Sequence, residues 1–365
     1  MSDAPLLVLV GTKAQYIKTA PILRELDRRT VPYTLVYTGQ HSETFDLLEA
    51  AFQTRPADDV LVPQFEAATH ATFAQWTFAF WRAACARILQ RRWKHARFGV
   101  VHGDTASTLF TAMALRLAGV RVVHVEAGLR SPKLMEPFPE EIVRRIVSRI
   151  TAVHFAPDAD AVANLRGQRG RIVDTRGNTL RDALAMALSR WDALPSHGGE
   201  GGYAIASIHR SENMSQRANL DLLMEEVLAT AAKTPVKFVL HPVTRERIRA
   251  SGWLERLQAQ PNLALLDRMD YPDFVRLLVG ASFLMTDGGS NQEEAAMMGL
   301  PTLLLRRATE RLDGLGDNVV LSELDRGRIQ AFVDRHAGGR WPLRLIEGAS
   351  PSGIIVDVLQ GELAH

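Results

Sequence analysis

FGVVHGDTASTLFTAMALRLAGVRVVHVEAGLRS, running from Phe98 to Ser131, sets two short apolar runs around one longer helical pattern. Phe98–Val101 opens onto His102-Gly103-Asp104-Thr105, and Arg121–Val125 opens onto Glu126-Ala127-Gly128. Both runs are rich in β-branched residues and bounded by glycine, while the residues between them carry apolar positions at helical spacing. Strand, helix, strand in this order is a βαβ unit of a parallel sheet, and such sheets bind ligands just past the carboxyl ends of their strands. The unit therefore delivers Asp104 and Glu126 to one rim. Two carboxylates at neighbouring strand ends are unfavourable unless a cation or a reaction employs them. Taken singly, Asp104 reads as a helix cap and Glu126 as a partner of Arg130. Together, with His102 and His124 beside them, they point to a functional cleft.

Upstream, Leu6–Val10 reads as a buried strand opening onto Gly11-Thr12-Lys13-Ala14-Gln15, with a helix behind it that buries Ile17, Ala20, Ile22, Leu23 and Leu26. A strand, a Gly-Thr turn and a helix start suit an anion, and Lys13 and Lys18 add positive charge. The glycine spacing of a P-loop or a dinucleotide fingerprint is missing. Thr34–Tyr37 is the next strand, ending in Thr38-Gly39-Gln40-His41. A helix is expected from about Thr69 to Gln90, with Phe73, Trp76, Phe80, Ala84 and Ile88 on one side and Trp81 widening the stripe. That stripe is bulky enough to suggest a homodimer contact. Downstream, Pro139 stands where a helix starts, Glu140 and Glu141 suit its first turn, and Arg144, Arg145 and Arg149 follow. Ala152–Ala156 completes a first domain of at least five strands.

Ile172–Thr175 and Gly177-Asn178-Thr179-Leu180 read as a crossing into a second unit, and the patch from Pro195 to Gly202 as a flexible loop. Strand and helix then alternate again: Tyr203–Ile208 ends in His209-Arg210, Val236–Leu240 in His241-Pro242, and Phe283–Met285 in Thr286-Asp287-Gly288-Gly289-Ser290. Leu263–Leu266 and Pro301–Leu305 are further strands. This is a second doubly wound sheet, and two such domains are expected to hold their ligand in the cleft between them. The Gly288-Gly289-Ser290 turn opens a short helix ending at Gly299, so its free backbone N–H groups make a phosphate seat. Glu294, one turn in, can accept ribose hydroxyls. Arg311 supplies a guanidinium for the same phosphates.

Composition narrows the class. The 365 residues are 46% hydrophobic and 23% charged, as in a globular protein large enough for two domains. A net charge of +2 gives no global field for nucleic acid or an anionic membrane. Cys85 is the only cysteine, which excludes an intrachain disulfide and a cysteine-cluster metal site and fits the cytoplasm. No apolar run reaches membrane-spanning length, and Leu6–Val10 is expected to be a strand rather than a leader.

The motifs in order are Gly11-Thr12, Ile17-Lys18, Ala20-Pro21, Gly39-Gln40-His41, His102-Gly103-Asp104-Thr105, His124 to Arg130, Pro139-Glu140-Glu141, Gly177-Asn178-Thr179, His209-Arg210 with Glu212-Asn213, Gln292-Glu293-Glu294-Ala295 and Thr309-Glu310-Arg311. In this order and spacing the chain resembles the non-hydrolysing UDP-N-acetylglucosamine 2-epimerases of bacteria. The resemblance implies an α/β, GT-B-like fold of two Rossmann-like domains, 1–176 on the sugar side and 177–345 on the UDP side. The last residues, 346–365, would form a helix crossing back to the first domain. It implies a cytoplasmic enzyme, a homodimer, that needs no nicotinamide, no other cofactor and no metal, and whose partner is a UDP-sugar rather than nucleic acid or a membrane. It further implies interconversion of UDP-GlcNAc and UDP-ManNAc for surface polysaccharide supply, by eliminating UDP to give 2-acetamidoglucal and adding it back. By matching positions, Asp104, Glu126, Glu140 and His209 correspond to the catalytic groups. Lys18, Arg144 and Arg311 correspond to substrate- and phosphate-contacting cations, and Lys13, His241, Gly288, Gly289, Ser290 and Glu294 to the rest of the substrate and UDP seat.

The chain departs from the family pattern at several places. Lys13-Ala14-Gln15 stands for Arg-Pro-Glu, Gly288-Gly289-Ser290 for Ser-Gly-Gly, and Ser211 for the second arginine of His-Arg-Arg-Glu. Leu312-Asp313 stands for Pro-Glu. A GT-B glycosyltransferase shares the fold and the UDP seat, and a hydrolysing 2-epimerase shares the substrate. Three carboxylates and a histidine around the donor sugar suit elimination better than transfer.

Overall fold

Strands covered on both faces need no polar alternation, and the short apolar runs of this chain form a set of wholly buried parallel strands. The computed structural model describes residues 4–40, 45–63, 65, 70–131, 139–309, 311–344 and 346–364. His41 and Glu310, quoted above in motifs, lie outside the described residues, as does the segment 132–138 before Pro139. The chain forms two compact units, Met1–Met186 with Gly348–His365, and Ala187–Glu347.

The first unit is a seven-stranded parallel sheet of β1 (Leu6–Val10), β2 (Tyr33–Tyr37), β3 (Asp59–Val60), β4 (Phe98–His102), β5 (Arg121–Val125), β6 (Thr151–Ala156) and β7 (Arg171–Asp174). Its order is β3-β2-β1-β4-β5-β6-β7, so the winding reverses between β1 and β4, the crevice where doubly wound sheets bind ligands. The long helix spans His70–Leu89. The inner part of its stripe is core: Trp76, Phe80 and Ala84 are fully buried, and the half-buried Trp81 packs on Phe80 and Phe110 within the same unit. The exposed large apolar residues of that helix are instead Phe78 and Leu89.

The first unit runs ten residues past the expected boundary at 176, to Met186, because it takes in most of the helix Leu180–Leu188. Leu180, Ala183 and Leu184 are buried, and Asp182 accepts a hydrogen bond from the Ser352 N–H at 2.7 Å, tying that helix to the C-terminal helix Pro351–Ala364. The C-terminal helix in turn packs on Lys13–Arg28 and belongs to the first unit.

The second unit begins with β8 (His197–Gly198) and carries a six-stranded parallel sheet of β9 (Tyr203–Ser207), β10 (Val236–Leu240), β11 (Leu263–Asp267), β12 (Ala281–Thr286), β13 (Thr302–Leu304) and β14 (Val319–Leu321). The order is β11-β10-β9-β12-β13-β14, with β9 and β12 side by side at the reversal. The glycine-rich patch is a pinned segment rather than a flexible loop. Strand β8 pairs antiparallel with β15 (Trp341–Pro342), and a Cβ on Gly198 would lie 2.1 Å from the Trp341 ring. The N–H groups of Gly199 and Gly201 donate to Val279 and Gly280 at 2.9 and 3.0 Å. Glycine is required there because an indole occupies the space of its side chain. Among the described residues no helix is long and apolar enough to cross a membrane.

Candidate active site

Each unit carries one polar cluster at the carboxyl ends of its central strands. In the first, β4 and β5 pair with His102 opposite Val125, so Gly103-Asp104 and Glu126 leave the sheet at the same edge. Gly103 and Glu126 both take left-handed backbone, at φ 69° and 62°. For a glutamate that conformation costs about 1 kcal/mol, a strain that recurs at functional positions. It turns the carboxylate back over the rim, where Oε2 lies 3.6 Å from a Cβ built on Gly103.

Glu126 Oε1 accepts hydrogen bonds from Lys18 Nζ at 2.7 Å and Asn178 Nδ2 at 2.5 Å. The Lys18 and Glu126 side chains are each only 8% exposed, so this is a buried ion pair. Lys18 thus serves the carboxylate, and the expected pair with Arg130 is not made; that guanidinium donates to Ser148 Oγ at 3.0 Å. His102 Nδ1 stands 3.6 Å from Glu126 Oε2 and Nε2 3.2 Å from Thr179 Oγ1. Burial drives His102 down to about 3 despite the nearby Glu126, so the ring is neutral and its contact with the carboxylate is no ion pair. His124, likewise lowered by burial, to about 4, is held against the Gly103 carbonyl at 2.7 Å. A neutral ring facing a carbonyl oxygen must carry its proton on that Nε2.

Asp104 does not cap its helix: Thr105 does, accepting from Thr108 N–H at 3.3 Å. Asp104 Oδ2 is instead gripped by Arg144 through Nε at 2.8 Å and Nη2 at 2.6 Å. Arg144 projects from the helix Glu140–Ile150, one turn after Glu140, whose half-buried carboxylate has an oxygen, Oε2, without a hydrogen-bond partner among the described residues. Glu141 is structural: fully buried, it accepts from the Ser131 N–H at 3.0 Å and pairs with Arg145 at 2.8 Å. Lys13 lies in the first turn of Lys13–Arg28 and is half-buried.

Gln15, in the sequence only a departure from the family pattern, is the joint of this cluster. Its Oε1 accepts from the N–H groups of Gly11 and Thr12 at 2.9 and 3.1 Å. Its Nε2 reaches the His102 carbonyl at 2.8 Å and the Thr105 and Thr108 hydroxyls at 2.9 and 2.8 Å, joining the exits of β1 and β4. A glutamate, having no donor, cannot make the second set.

In the second unit the centre is Asp287, fully buried just past β12, a residue the sequence marked only as part of a polar strand end. Its carboxylate accepts from the backbone N–H groups of His209 and Arg210 and from Asn213 Nδ2, each at 2.9 Å. His209 therefore stands over the start of the helix Gly289–Met298, which has no side-chain cap. A Cβ on Gly288 would come 2.9 Å from His209 Cε1, and one on Gly289 2.9 Å from Arg311 Nε. The two glycines let an imidazole and a guanidinium close on uncapped N–H groups, an arrangement suited to a phosphate. Ser290 lies half-buried in the same first turn. Arg311 also pairs with Glu293 at 2.9 Å, and Gln292 fixes its segment by donating to the Arg311 and Asp313 carbonyls at 3.1 and 3.0 Å. The His241 ring lies 5.6 Å from that of His209. Glu294 is buried against Tyr271, whose phenol is pushed well up by burial first and then by the Glu294 carboxylate it meets. Among the described residues no group of His, Cys, Asp and Glu is placed to hold a metal.

The chain is similar to known proteins along nearly its whole length. A Salmonella typhimurium UDP-N-acetylglucosamine 2-epimerase is 30% identical over 90% of this chain and 89% of its own. A Pseudomonas aeruginosa UDP-2,3-diacetamido-2,3-dideoxy-D-glucuronate 2-epimerase is 28% identical over 87% and 88%. The crystal structure of the Neisseria meningitidis UDP-GlcNAc 2-epimerase bound to UDP-GlcNAc superposes with a TM-score of 0.79 at 26% identity, covering 98% of this chain and 99% of that one. Two Rossmann-like parallel sheets and this likeness make the fold GT-B-like. Residues 24–341 match the family described as UDP-N-acetylglucosamine 2-epimerase, and to that family the chain belongs.

Proposed function

We propose that this protein interconverts UDP-GlcNAc and UDP-ManNAc without net hydrolysis. The observation that carries the reading is Glu126, a strained, buried carboxylate held on one oxygen by Lys18 and Asn178 at the rim it shares with Asp104. The C2 proton of a 2-acetamido sugar is weakly acidic, so its removal must be coupled to departure of the C1 substituent. The C2–H bond breaks toward a carboxylate, the C1–O bond breaks with its electron pair leaving on UDP, and a C1=C2 double bond forms. Return of a proton to the opposite face of C2 and attack of the UDP oxygen on C1 complete the change. Nothing is oxidised overall, so the reaction calls for no redox cofactor. Asp104, Glu126 and Glu140 supply the proton-transfer groups for two faces. The leaving diphosphate falls to the second unit, where His209, Arg311 and the start of Gly289–Met298 offer donors to a developing anion.

The deciding experiment is NMR of UDP-GlcNAc with the enzyme alone in D₂O. Deuterium at C2 together with UDP-ManNAc supports the proposal. Accumulation of free ManNAc and UDP would assign a hydrolysing enzyme, and an unchanged substrate without C2 exchange would leave a transferase awaiting an acceptor. The Pseudomonas relative's name gives a diacetamido uronate, so UDP-2,3-diacetamido-glucuronate is the second substrate to offer.

A further inference from the structure

Two donors to Glu126 Oε1, Lys18 and Asn178, come from different parts of the first unit, and the C-terminal segment packs on the element that carries each. Lys18 rides on Lys13–Arg28, against which Pro351–Ala364 packs with Ile355, Val356 and Leu359 buried. At the end of Lys13–Arg28, Arg29 reaches Asp357, Gln360 Oε1 at 3.1 Å and the Gly353 carbonyl at 3.4 Å. Asn178 stands on the loop before Leu180–Leu188, and the same helix is stitched there. Asp182 Oδ2 accepts from Ser352 N–H at 2.7 Å and Ser350 Oγ at 2.9 Å, while Arg181 Nη2 donates to the Ala349 carbonyl at 3.0 Å. Pro351 Cγ lies 3.3 Å from a Cβ built on Gly177, the residue before Asn178. The amide of Asn178 is itself fixed, because Oδ1 accepts from Leu180 N–H at 3.0 Å and Nδ2 is thereby turned to Glu126.

We infer that the C-terminal helix is a positioning element for Glu126, fixing Lys18 and Asn178 relative to each other through Arg29 on one side and Asp182 on the other. Glu126 sits in a backbone conformation that does not hold itself, so its carboxylate takes the direction its partners impose. A carboxylate displaced by a fraction of an ångström loses turnover without losing the nucleotide, which other residues bind. The inference rests on the reading of Glu126 as a catalytic group.

The test is a double-mutant cycle on kcat for UDP-GlcNAc epimerisation, with Asp182→Ala, Asn178→Ala and both together. Asp182→Ala is expected to lower kcat about tenfold, with KM and calorimetric UDP affinity within twofold, and Asp182→Asn, which keeps an acceptor for Ser352, to restore most of it. In the Asn178→Ala background Asp182→Ala should add little, since its effect passes through that amide. Unchanged kcat in Asp182→Ala, or losses that simply multiply, would overturn the inference while the epimerase reading stood. A wild-type protein that exchanges no deuterium at C2 would overturn both. If Asp182→Ala melts below the assay temperature, Ser350→Ala removes one donor more gently, and an unchanged kcat there counts equally against the inference.

Discussion

Asp287 Oδ1 takes the backbone N–H of His209 at 2.9 Å, so the imidazole at the end of β9 is set by a carboxylate at the end of β12. The side chains add little, since His209 Nδ1 is 3.6 Å from the same oxygen. It is main-chain geometry that Asp287 holds, with Arg210 N–H and Asn213 as its other two donors.

Asp287→Ala would remove the shared acceptor of three donors, two of them part-buried backbone N–H groups, and leave the buried Asn213 Nδ2 with the Leu305 carbonyl at 3.0 Å. A buried donor left unmade costs about 1–3 kcal/mol, so the variant should lose on the order of 1–3 kcal/mol in denaturant titration. Any folded fraction should bind UDP more weakly, because His209 no longer stands over the Gly289–Met298 helix. A variant with native stability and native UDP affinity would remove Asp287 from the centre of this cluster.

Gly289→Ala separates packing from stability. Alanine is a better helix former than glycine, so the melting temperature should hold or rise slightly. The new Cβ would lie 2.9 Å from Arg311 Nε and push the guanidinium aside, and calorimetry should show UDP weakened by about tenfold. Unchanged affinity would mean that Arg311 contributes nothing to the nucleotide from this position.

Glu126→Gln and Asp104→Asn keep shape and remove the proton acceptor. Each should cut turnover by about 10²–10⁴ while UDP affinity stays within a few-fold. Steady-state rates beside UDP calorimetry make the comparison, and near-native turnover in either variant retires that residue from the chemistry.

The pH dependence of stability follows from two buried imidazoles. Burial lowers His102 to about 3 and His124 to about 4 from 6.5. Below about pH 6.5 the unfolded chain takes up protons that the native one refuses, so it binds more and stability falls with falling pH. The contribution is complete above about pH 6.5 and is lost by up to about 1.4 kcal/mol per pH unit for each ring on the way down. Melting temperature should therefore be level near pH 7–8 and drop steeply from about pH 6 to 4. His124→Gln, whose amide can still donate to the Gly103 carbonyl, should make that drop shallower. An identical slope in the variant would mean that the ring is charged in the native protein.

Much of the fold was legible because parallel strands are buried on both faces. Leu6–Val10 stands out as an unbroken apolar run, Arg121–Val125 and Val236–Leu240 as β-branched-rich, mostly apolar ones, and all three form strands with those limits. Asp59–Val60 is too short to show any period, and Val319–Leu321 is scarcely longer; both owe their place to a neighbouring strand. The patch from Pro195 to Gly202 reads as loose because its partner, Trp341, is far along the chain. The carboxylates were legible from their strand ends, but their partners were not. Lys18 and Glu126 are 108 residues apart, and nothing local to Lys18 distinguishes a cation for phosphate from one for a buried carboxylate. Gln15 and Asp287 were missed for a related reason: each joins the ends of two strands, and that adjacency exists only once the sheet has formed.

The strained Glu126 and its buried partner bear on how this chain would decay. Glycine at 126 would relieve the left-handed backbone, and an apolar residue at 18 would spare a buried ammonium its desolvation, a kind of replacement that is often neutral or stabilising. Either change alone leaves something worse, since Glu126→Gly takes a buried carboxylate away from the buried Lys18 ammonium. The ion pair is thus a hallmark of use: copies of this gene released from selection for turnover should lose both charges together, whereas working copies keep both. In a set of paralogues, that joint loss would sort silent proteins from active ones before any assay is run.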